Sequence, residues 1–504
     1  MSLFIKKPMS ELMAESGDSE KGLKRTLSSA SLVALGIGAI IGAGLFVRTA
    51  AAAAQNAGPS VTLGFIVAAI GCALAGLCYA ELSSSIPISG SAYTYTYATM
   101  GEFMAWIIGW DLVLEYAVGA ATVGIAWSEY LNNLLVNVLH WKAIPYQWSH
   151  SPFEHSVDGI NGIMNIPAFG IIALLSLLLI KGTKESAFVN GIIVIAKVAI
   201  VVLIIIFGWG FINSANHTPY IPEPTTYTDH QGVAHTYGGI MGILGAAGVV
   251  FFAFIGFDAV STAAQETKNP KKSMPIGILG SLAICTVLYI LFAHVLTGLA
   301  PVEFFRTTGK EASVAQAIET FMPGYSWLGK LVTVAILAGF SSVILVMLLG
   351  QSRVFYSMSR DGLVPKVFSA VHPKFKTPYK ANLIFLVVVG AFAAFIPGDI
   401  VGDMTSIGTL FAFMLVCVAV IILRKSDPDM PRAFKTPLVP FVPILGILVC
   451  GAMIFGLGWT NWLRLGGWLL IGFVIYFGYS RKHSKLQQGK LVKPLDPIDP
   501  LNPL

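Results

Sequence analysis

Charge is scarce in this chain of 504 residues: 12% are Asp, Glu, Lys or Arg, whereas 55% are hydrophobic. Soluble domains carry about 25% charged residues, so an ordinary soluble globular fold is excluded. The net charge is +6, but the 32 Lys and Arg are spread over many short segments. Nucleic acid is therefore not an expected partner.

Cysteines and catalytic motifs are also few. The chain has no HExxH, no GxSxG and no phosphate-binding loop, and its GxG spacing near Gly36 follows no strand. We therefore expect neither an enzyme nor a cofactor or metal site, with an ion gradient rather than ATP as the energy source. The five cysteines lie in apolar runs without metal-ligand spacing and are predicted to be packing residues: Cys72, Cys78, Cys285, Cys417 and Cys450.

Apolar runs of about 17–25 residues are abundant, and this is the length of a helix that crosses a bilayer. They predict an all-α membrane protein. Twelve transmembrane helices are expected, at 31–50, 60–84, 98–127, 166–182, 189–212, 239–265, 275–299, 326–351, 383–397, 402–424, 438–458 and 462–480.

The distribution of positive charge predicts the orientation. With the N-terminus inside, 25 of the 32 Lys and Arg fall in inner segments and six in outer ones. Both termini are therefore expected in the cytoplasm of a protein integral to the plasma membrane. The predicted organisation is a cytoplasmic segment 1–30, a first repeat 31–212, an extracellular loop 213–238, a second repeat 239–424, a last helix pair 438–480 and a cytoplasmic tail 481–504.

Two of these helices carry breaks. The first holds GIGAIIGAGLF, with glycines at 36, 38, 42 and 44, and each glycine costs a helix about 1 kcal/mol relative to alanine. The sixth holds FFAFIGFDAVS, where Gly256 precedes the carboxylate of Asp258. The two helices occupy matching positions if helices one to five and six to ten are inverted repeats. Interrupted helices at matching positions indicate a transporter's binding site.

Unwound main chain in a membrane must face protein, water or a ligand. A half-helix that starts after Gly42-Ala43-Gly44 offers N–H donors and a positive dipole end, which suit a carboxylate. Carbonyls left open at Phe252, Ala253 and Ile255 suit an ammonium group. Together the two breaks could bind the part that all α-amino acids share. The alternative for the first helix is packing, since Gly38 and Gly42 form a GxxxG pattern.

A family resemblance rests on a set of motifs in one order. They are GIGAIIGAGLFV, CYAELSSSIPISGSAYTYTYATMGE, FFAFIGFDAVSTAAQETKNPKKSMPIGI, QSRVFYSMSRDGLVPKVFSAVHPKFKTPY and SIGTLFAF. The chain resembles the amino acid–polyamine–organocation (APC) superfamily, in particular its cationic amino acid transporter branch and the bacterial members of that branch. The resemblance implies a LeuT-like fold, a 5+5 inverted repeat in which helices 1 and 6 are discontinuous.

The resemblance also implies a binding site for a free L-amino acid. Ile40, Ile41, Gly42, Ala43 and Gly44 would line the carboxylate side. On the amino side would lie Phe252, Ala253 and Ile255, with the Phe252 ring as a lid toward the outside.

Lys197 stands alone in IVIAKVAIVV, and a lysine at membrane depth is by default a functional hypothesis. The alternative is a lysine that reaches back to the interface. In proton-using members of the superfamily, a lysine here resembles a substitute for the sodium ion of other relatives. We expect it to reach helices one and eight, near Ser341 and Ser342, and to exchange a proton, so that H⁺ is the coupling ion. Glu115 is expected either to pair with Lys197 or to line the pocket.

Three other ionisable residues lie in the helices. Asp111 is expected to be solvated or to cap a helix, and Asp258 to cap the inner half-helix. His294 is expected to be a satisfied polar residue near the outer interface. A part of any of them in proton movement is left open.

The side chains expected around the pocket allow a prediction of which amino acids are transported. Ala43, Phe252, Ile255, Ser341 and Met347 are small or mostly apolar, which favours neutral amino acids such as alanine, serine or leucine. Arginine or lysine stays an alternative, because Glu115 could accept a cationic side chain. Exchange of one amino acid for another, and a nutrient sensor on a transporter scaffold, are rival interpretations. The bilayer is the other expected partner; a small single-span accessory protein and the oligomeric state are left open.

Overall fold

A computed structural model gives the fold of the chain. It describes residues 3–8, 27–42, 44–86, 91–154, 159–181, 186–228, 234–258, 260–261, 267–307, 313–375 and 377–489. Seven helices in these ranges are long and apolar enough to cross a membrane, and five shorter apolar helices accompany them.

The described helices form twelve membrane spans, numbered here in chain order. Span 1 consists of Ser29–Ile40 and, after a break, residues 44–57. The others are span 2 (Val61–Ser85), span 3 (Glu102–Val138), span 4 (Ile166–Lys181), span 5 (Ser186–Gly208), span 6 (Gly239–Phe254 and the turn after it), span 7 (Pro270–Leu299), span 8 (Ser326–Arg360), span 9 (Tyr379–Phe395), span 10 (Gly398–Ser426), span 11 (Phe441–Gly456) and span 12 (Trp459–His483).

Span 3 differs most from its predicted bounds of 98–127. A separate helix, Ser91–Thr99, ends before Gly101, and span 3 starts at Glu102 and runs to Val138. Gly101 has φ +97°, and a Cβ there would lie 2.6 Å from the main chain of Phe4. The backbone must turn at this residue, so the apolar run cannot continue as one helix.

Three contacts between spans join members of the two predicted repeats. Span 2 packs on span 7, span 3 on span 8, and span 4 on span 9. This pairing, with breaks in spans 1 and 6, is that of a LeuT-like inverted-repeat transporter. The fold class is confirmed.

Shorter elements connect the spans. One is a two-stranded antiparallel hairpin in the predicted 213–238 loop, Thr225–Thr228 with Ala234–Tyr237, in which Thr225 pairs with Tyr237. The chain is thus helical apart from this hairpin and an isolated bridge between Leu27 and Thr267 within the described ranges. The short helices are Tyr146–Ser149, Trp209–Phe211, Ser214–His217, Val302–Thr307, Ser313–Phe321 and Lys366–Ser369.

The described residues nearest the two ends of the chain pack on the same face of the molecule, called here the terminal side. The Lys7 ammonium donates to the buried Asp361 carboxylate at 3.0 Å, and Tyr93 donates to its other oxygen at 2.6 Å. Glu102 accepts from Tyr476 near the other end of the chain, and the Ser484 hydroxyl also contacts it. These bonds hold the first residues and the last helix against spans 3 and 8.

Candidate functional site

Span 1 is interrupted in its middle. Its first helix ends at Ile40; Ile41 is extended, with φ −71° and ψ 103°, and Gly42 bends the chain. Helix resumes at Gly44 with a wide turn of the π type, and the Leu45 N–H returns to the Gly42 carbonyl at 3.2 Å. Ala43, predicted to line the site, lies outside the described residues.

Span 6 breaks beside it. The helix tightens over Phe251–Phe254 and leaves helical geometry at Ile255, and Gly256 has φ +111°. A Cβ on Gly44 would lie 2.2 Å from the Ala253 Cα, and one on Gly256 would lie 2.9 Å from the Ala39 carbonyl oxygen. The two breaks therefore touch backbone to backbone, which only glycine allows.

The two breaks share one hydrogen-bond donor. The Tyr289 hydroxyl of span 7 lies 3.1 Å from the Ile40 carbonyl oxygen and 3.0 Å from the Ala253 carbonyl oxygen. A phenol has a single O–H, so it donates to one of these carbonyls at a time. The side chain is fully buried. Nothing in the sequence around Tyr289 marks it out, because its role depends on two loci far away in the chain.

We expect Tyr289→Phe to lower the rate of substrate uptake about tenfold, because it leaves two buried carbonyls without their common donor. Uptake into proteoliposomes measures the effect. Tyr325→Phe removes a hydroxyl for which the described residues provide no hydrogen bond, and it should transport normally. Equal rates for the two variants would mean that Tyr289 does not hold the breaks.

The main-chain acceptors expected for an ammonium group are partly occupied. The Phe252 carbonyl accepts from the Ile255 N–H at 3.3 Å, and the Ala253 carbonyl faces Tyr289. The expectation of three open carbonyls is corrected, because the chain here forms a tight turn instead of unwinding fully. Of the three, Ile255 alone keeps a carbonyl with no donor among the described residues. Phe252 is buried, and its role as a lid stays a prediction.

Lys197 is buried, with 3% of its surface exposed, and it points at the break of span 1. Its ammonium donates to the Ile41 carbonyl at 3.0 Å and to the Gly38 carbonyl at 3.2 Å. The stem lies across span 8 at Gly339, where a Cβ would come within 2.7 Å of the Lys197 Cε. A narrow apolar crevice between spans 1, 5 and 8 adjoins the group.

The residues of span 8 that were predicted for the site lie in different surroundings. The Ser341 hydroxyl donates to the Leu337 carbonyl of its own helix at 2.9 Å. The side chain of Lys197 therefore packs against Gly339 and does not hydrogen-bond to Ser341. Ser342 lies next in the same helix, and its coupling role stays a prediction. Met347 is buried and packs against span 3, where its sulfur would lie 3.3 Å from a Cβ at Gly119.

Glu115 does not pair with Lys197, so that expectation is corrected. It is fully buried within a wide turn over Leu114–Val118, and its charged neighbours are Asp258 and Asp111. A wide turn adds a residue to the helix and rotates the side chains that follow, which reasoning from an ideal helix misses. Among the described residues, no Lys or Arg forms an ion pair with Asp111 or Glu115.

Asp111 differs from expectation, whereas the roles expected of Asp258 and His294 stay predictions. Asp111 is 1% exposed, so it is neither solvated nor at a helix end. Asp258 accepts a hydrogen bond from Tyr116 of span 3 at 2.9 Å, which ties span 6 to span 3 just after the break. The His294 ring lies against Trp209 and His217, at centroid distances of 5.6 and 4.6 Å.

Arg48 joins the second half of span 1 to span 10 through ion pairs. It extends from the second half of span 1, is 3% exposed, and contacts Asp403 and, at 3.4 Å, Asp399 of span 10. Gln55 also donates to Asp399, at 3.2 Å. From the sequence, Arg48 is one of the six positive charges of the outer side, at the end of the predicted helix 31–50, and no role in the site is predicted for it. A basic residue at membrane depth, four positions after Gly44, is a signal of function.

Asp403→Asn should lower the unfolding temperature of the protein by several degrees. It removes the charge that Arg48 contacts, and hydrogen bonds to charged groups contribute about 1.5–3 kcal/mol. Thermal unfolding in detergent measures this. The matched control, Asp429→Asn, changes an exposed carboxylate on the terminal side and should leave the curve in place. An unchanged curve for Asp403→Asn would rule out a stabilising contact.

Twelve spans with two touching breaks, a buried lysine at one break and an ion pair between spans 1 and 10 are typical of a membrane transporter. Sequence comparison agrees: residues 27–478 match the amino acid permease family. The chain belongs to this family, within the APC superfamily, and is an amino acid transporter rather than an enzyme.

Individual relatives are similar over nearly their whole length. The chain is 46% identical to the branched-chain amino acid permease BcaP of Bacillus subtilis, over 97% of this chain and 99% of that one. It is 42% identical to the methylthioribose transporter of the same species, over 97% and 100%. It is 28% identical to the mouse cationic amino acid transporter 4, over 94% and 90%.

Proposed function

We propose that the protein takes up neutral L-amino acids with apolar side chains, such as leucine, isoleucine and valine, together with a proton across the plasma membrane. The excess of Lys and Arg in the predicted inner segments supports an orientation with both termini in the cytoplasm. The observation that carries the coupling is the ammonium of Lys197 on the Gly38 and Ile41 carbonyls, at the break of span 1.

The proton would act through these two bonds. A protonated lysine has three N–H donors, and two are used to hold main-chain carbonyls that have left the helix ladder. Loss of the proton replaces charge-assisted bonds with weaker ones. The first half of span 1 would then be freer to move toward the terminal side. Proton release and opening of that side would thus be coupled.

The preference for neutral substrates is supported by the side chains that surround the two breaks. Ile40, Ile41, Phe252 and Ile255 are apolar and buried, and they leave only main-chain groups to bind charge. The substrate's carboxylate would lie at the start of the helix at Gly44, and its ammonium near the Ile255 carbonyl. The similarity to a branched-chain amino acid permease supports the same size class.

A cationic substrate is the second candidate, and one observation favours it. Asp111, Glu115 and Asp258 are buried close together near the break of span 6, and Asp111 and Glu115 have no cationic partner in the described part of the chain. A guanidinium or ammonium that reached this cluster would neutralise it. The similarity to a cationic amino acid transporter agrees with this alternative.

Uptake of labelled leucine into proteoliposomes tests the proposal. With the outside more acidic than the inside, we expect leucine to accumulate, and a protonophore to abolish the accumulation. Unlabelled isoleucine and valine should compete, whereas arginine and methylthioribose should not. Competition by arginine alone would favour the cationic candidate. Accumulation that needs sodium, or that needs an amino acid inside instead of a pH gradient, would contradict proton coupling.

A further inference from the structure

A second cavity lies far from the breaks, on the terminal side. Its volume is about 640 Å³, within the range of ligand-binding pockets. One wall is the start of span 7, from Asn269 to Leu279, and the other is the loop between spans 10 and 11, at Ala433 and Phe434. Neither wall takes part in the transport site.

The cavity is charged at one end and apolar at the other. Lys271 and Lys272 are exposed in the first turn of span 7, and neither forms an ion pair with a described residue. Pro275, Ile276 and Leu279 follow along the same wall. A ligand that fits both ends has an anionic head and a hydrocarbon body.

The apolar end continues into a surface that faces lipid. Ile276 is 41% exposed and Val287 is 58% exposed, and they lie on the same face of span 7, three turns apart. At 1.5 Å per residue, these side chains mark a stripe about 16 Å long. An acyl chain that leaves the cavity could therefore run along span 7.

The opposite wall is fixed in place. Arg432 and Thr436, which flank Phe434, both bind the buried Glu81 of span 2: the Arg432 guanidinium lies 3.1 Å from its carboxylate, and the Thr436 N–H donates at 2.7 Å. Arg424 donates two further bonds to Glu81. The loop is thus held in shape before any ligand arrives, and this lowers the cost of binding.

We propose that this cavity binds an anionic phospholipid of the leaflet on the terminal side, with its phosphate at Lys271 and Lys272 and an acyl chain along Ile276. Basic pockets between helices on the cytoplasmic side of membrane proteins suit such headgroups. The ligand would join span 7, which contacts both breaks through Tyr289, to the loop anchored on span 2.

Native mass spectrometry of the full-length protein tests the site with two lipids of equal chain composition, phosphatidylglycerol and phosphatidylcholine. We expect tighter binding of phosphatidylglycerol, and a loss of about tenfold or more in the double variant Lys271→Gln/Lys272→Gln. The matched control, Lys366→Gln/Lys374→Gln, removes two exposed lysines from the loop between spans 8 and 9 on the same side, and should bind normally.

Two further arms separate a lipid from a simple anion. Phe434→Ala should weaken the binding of phosphatidylglycerol, because the apolar wall contacts the lipid body. A large excess of inorganic phosphate should not displace the lipid. Equal binding of the two lipids, unchanged binding by the double variant, or displacement by phosphate would each overturn the proposal. None of these outcomes depends on which amino acid is transported.

Discussion

Lys197→Ala is expected to abolish accumulation of substrate against its gradient while leaving substrate binding largely intact. The alanine cannot carry a proton, and it removes both donors from the Gly38 and Ile41 carbonyls. Proteoliposome uptake under an imposed pH gradient measures the first effect. Stabilisation of the purified variant against heat by leucine measures the second, and also shows that the variant is folded.

A matched control for this variant is Lys181→Ala. Lys181 is an exposed lysine at the end of span 4, and its removal alters the charge of the protein by the same amount. The control should accumulate substrate at the normal rate. If Lys197→Ala does so too, the lysine does not couple transport to protons, and the cation of the transport cycle must bind elsewhere.

Gly44→Ala should reduce uptake by more than about tenfold, because it overpacks the contact between the two breaks. The new methyl group would lie 2.2 Å from the Ala253 Cα and 2.5 Å from its nitrogen, and both are main-chain atoms that cannot rotate away. The breaks would have to separate, with loss of the geometry that holds the substrate. The initial rate of uptake and the unfolding temperature should both fall.

Gly170→Ala makes the same chemical change at a site without neighbours. Gly170 lies in span 4, and a Cβ there would have no atom within 4 Å. Alanine favours helix over glycine by about 1 kcal/mol, so this variant should be at least as stable as the original protein. Full activity in Gly44→Ala would show that the breaks do not need their close contact.

The sequence predicts those features that depend on local pattern. Apolar runs locate all twelve spans, since each needs only its own length to cross a bilayer. The breaks at Gly42 and Gly256 are equally local, because glycine marks the point where a helix can stop. The position of Lys197 deep within an apolar span is enough to mark it as a functional candidate. Its contacts with the Gly38 and Ile41 carbonyls are known only from the structure.

Contacts between residues that are far apart in the chain could not be predicted from the sequence. In the sequence, Tyr289 is simply a tyrosine within an apolar span. Only in the folded chain do the Ile40 and Ala253 carbonyls lie beside its hydroxyl. Arg48 and Asp403 stand 355 residues apart, so no spacing rule connects them. For Glu115, the pairing with Lys197 was wrong, whereas a place in the pocket lining stays a prediction. Its charged neighbours are Asp258 and Asp111, and it lies in a wide turn of span 3 that departs from ideal helix geometry.

The docking of the chain's first residues has a practical consequence for protein production. Lys7 is buried against Asp361, and the Phe103 and Glu102 N–H groups donate to the carbonyls of Leu3 and Ile5. Trimming the first eight residues would strip these bonds from spans 3 and 8 at once. Removal of these residues is therefore expected to lower the yield of folded protein.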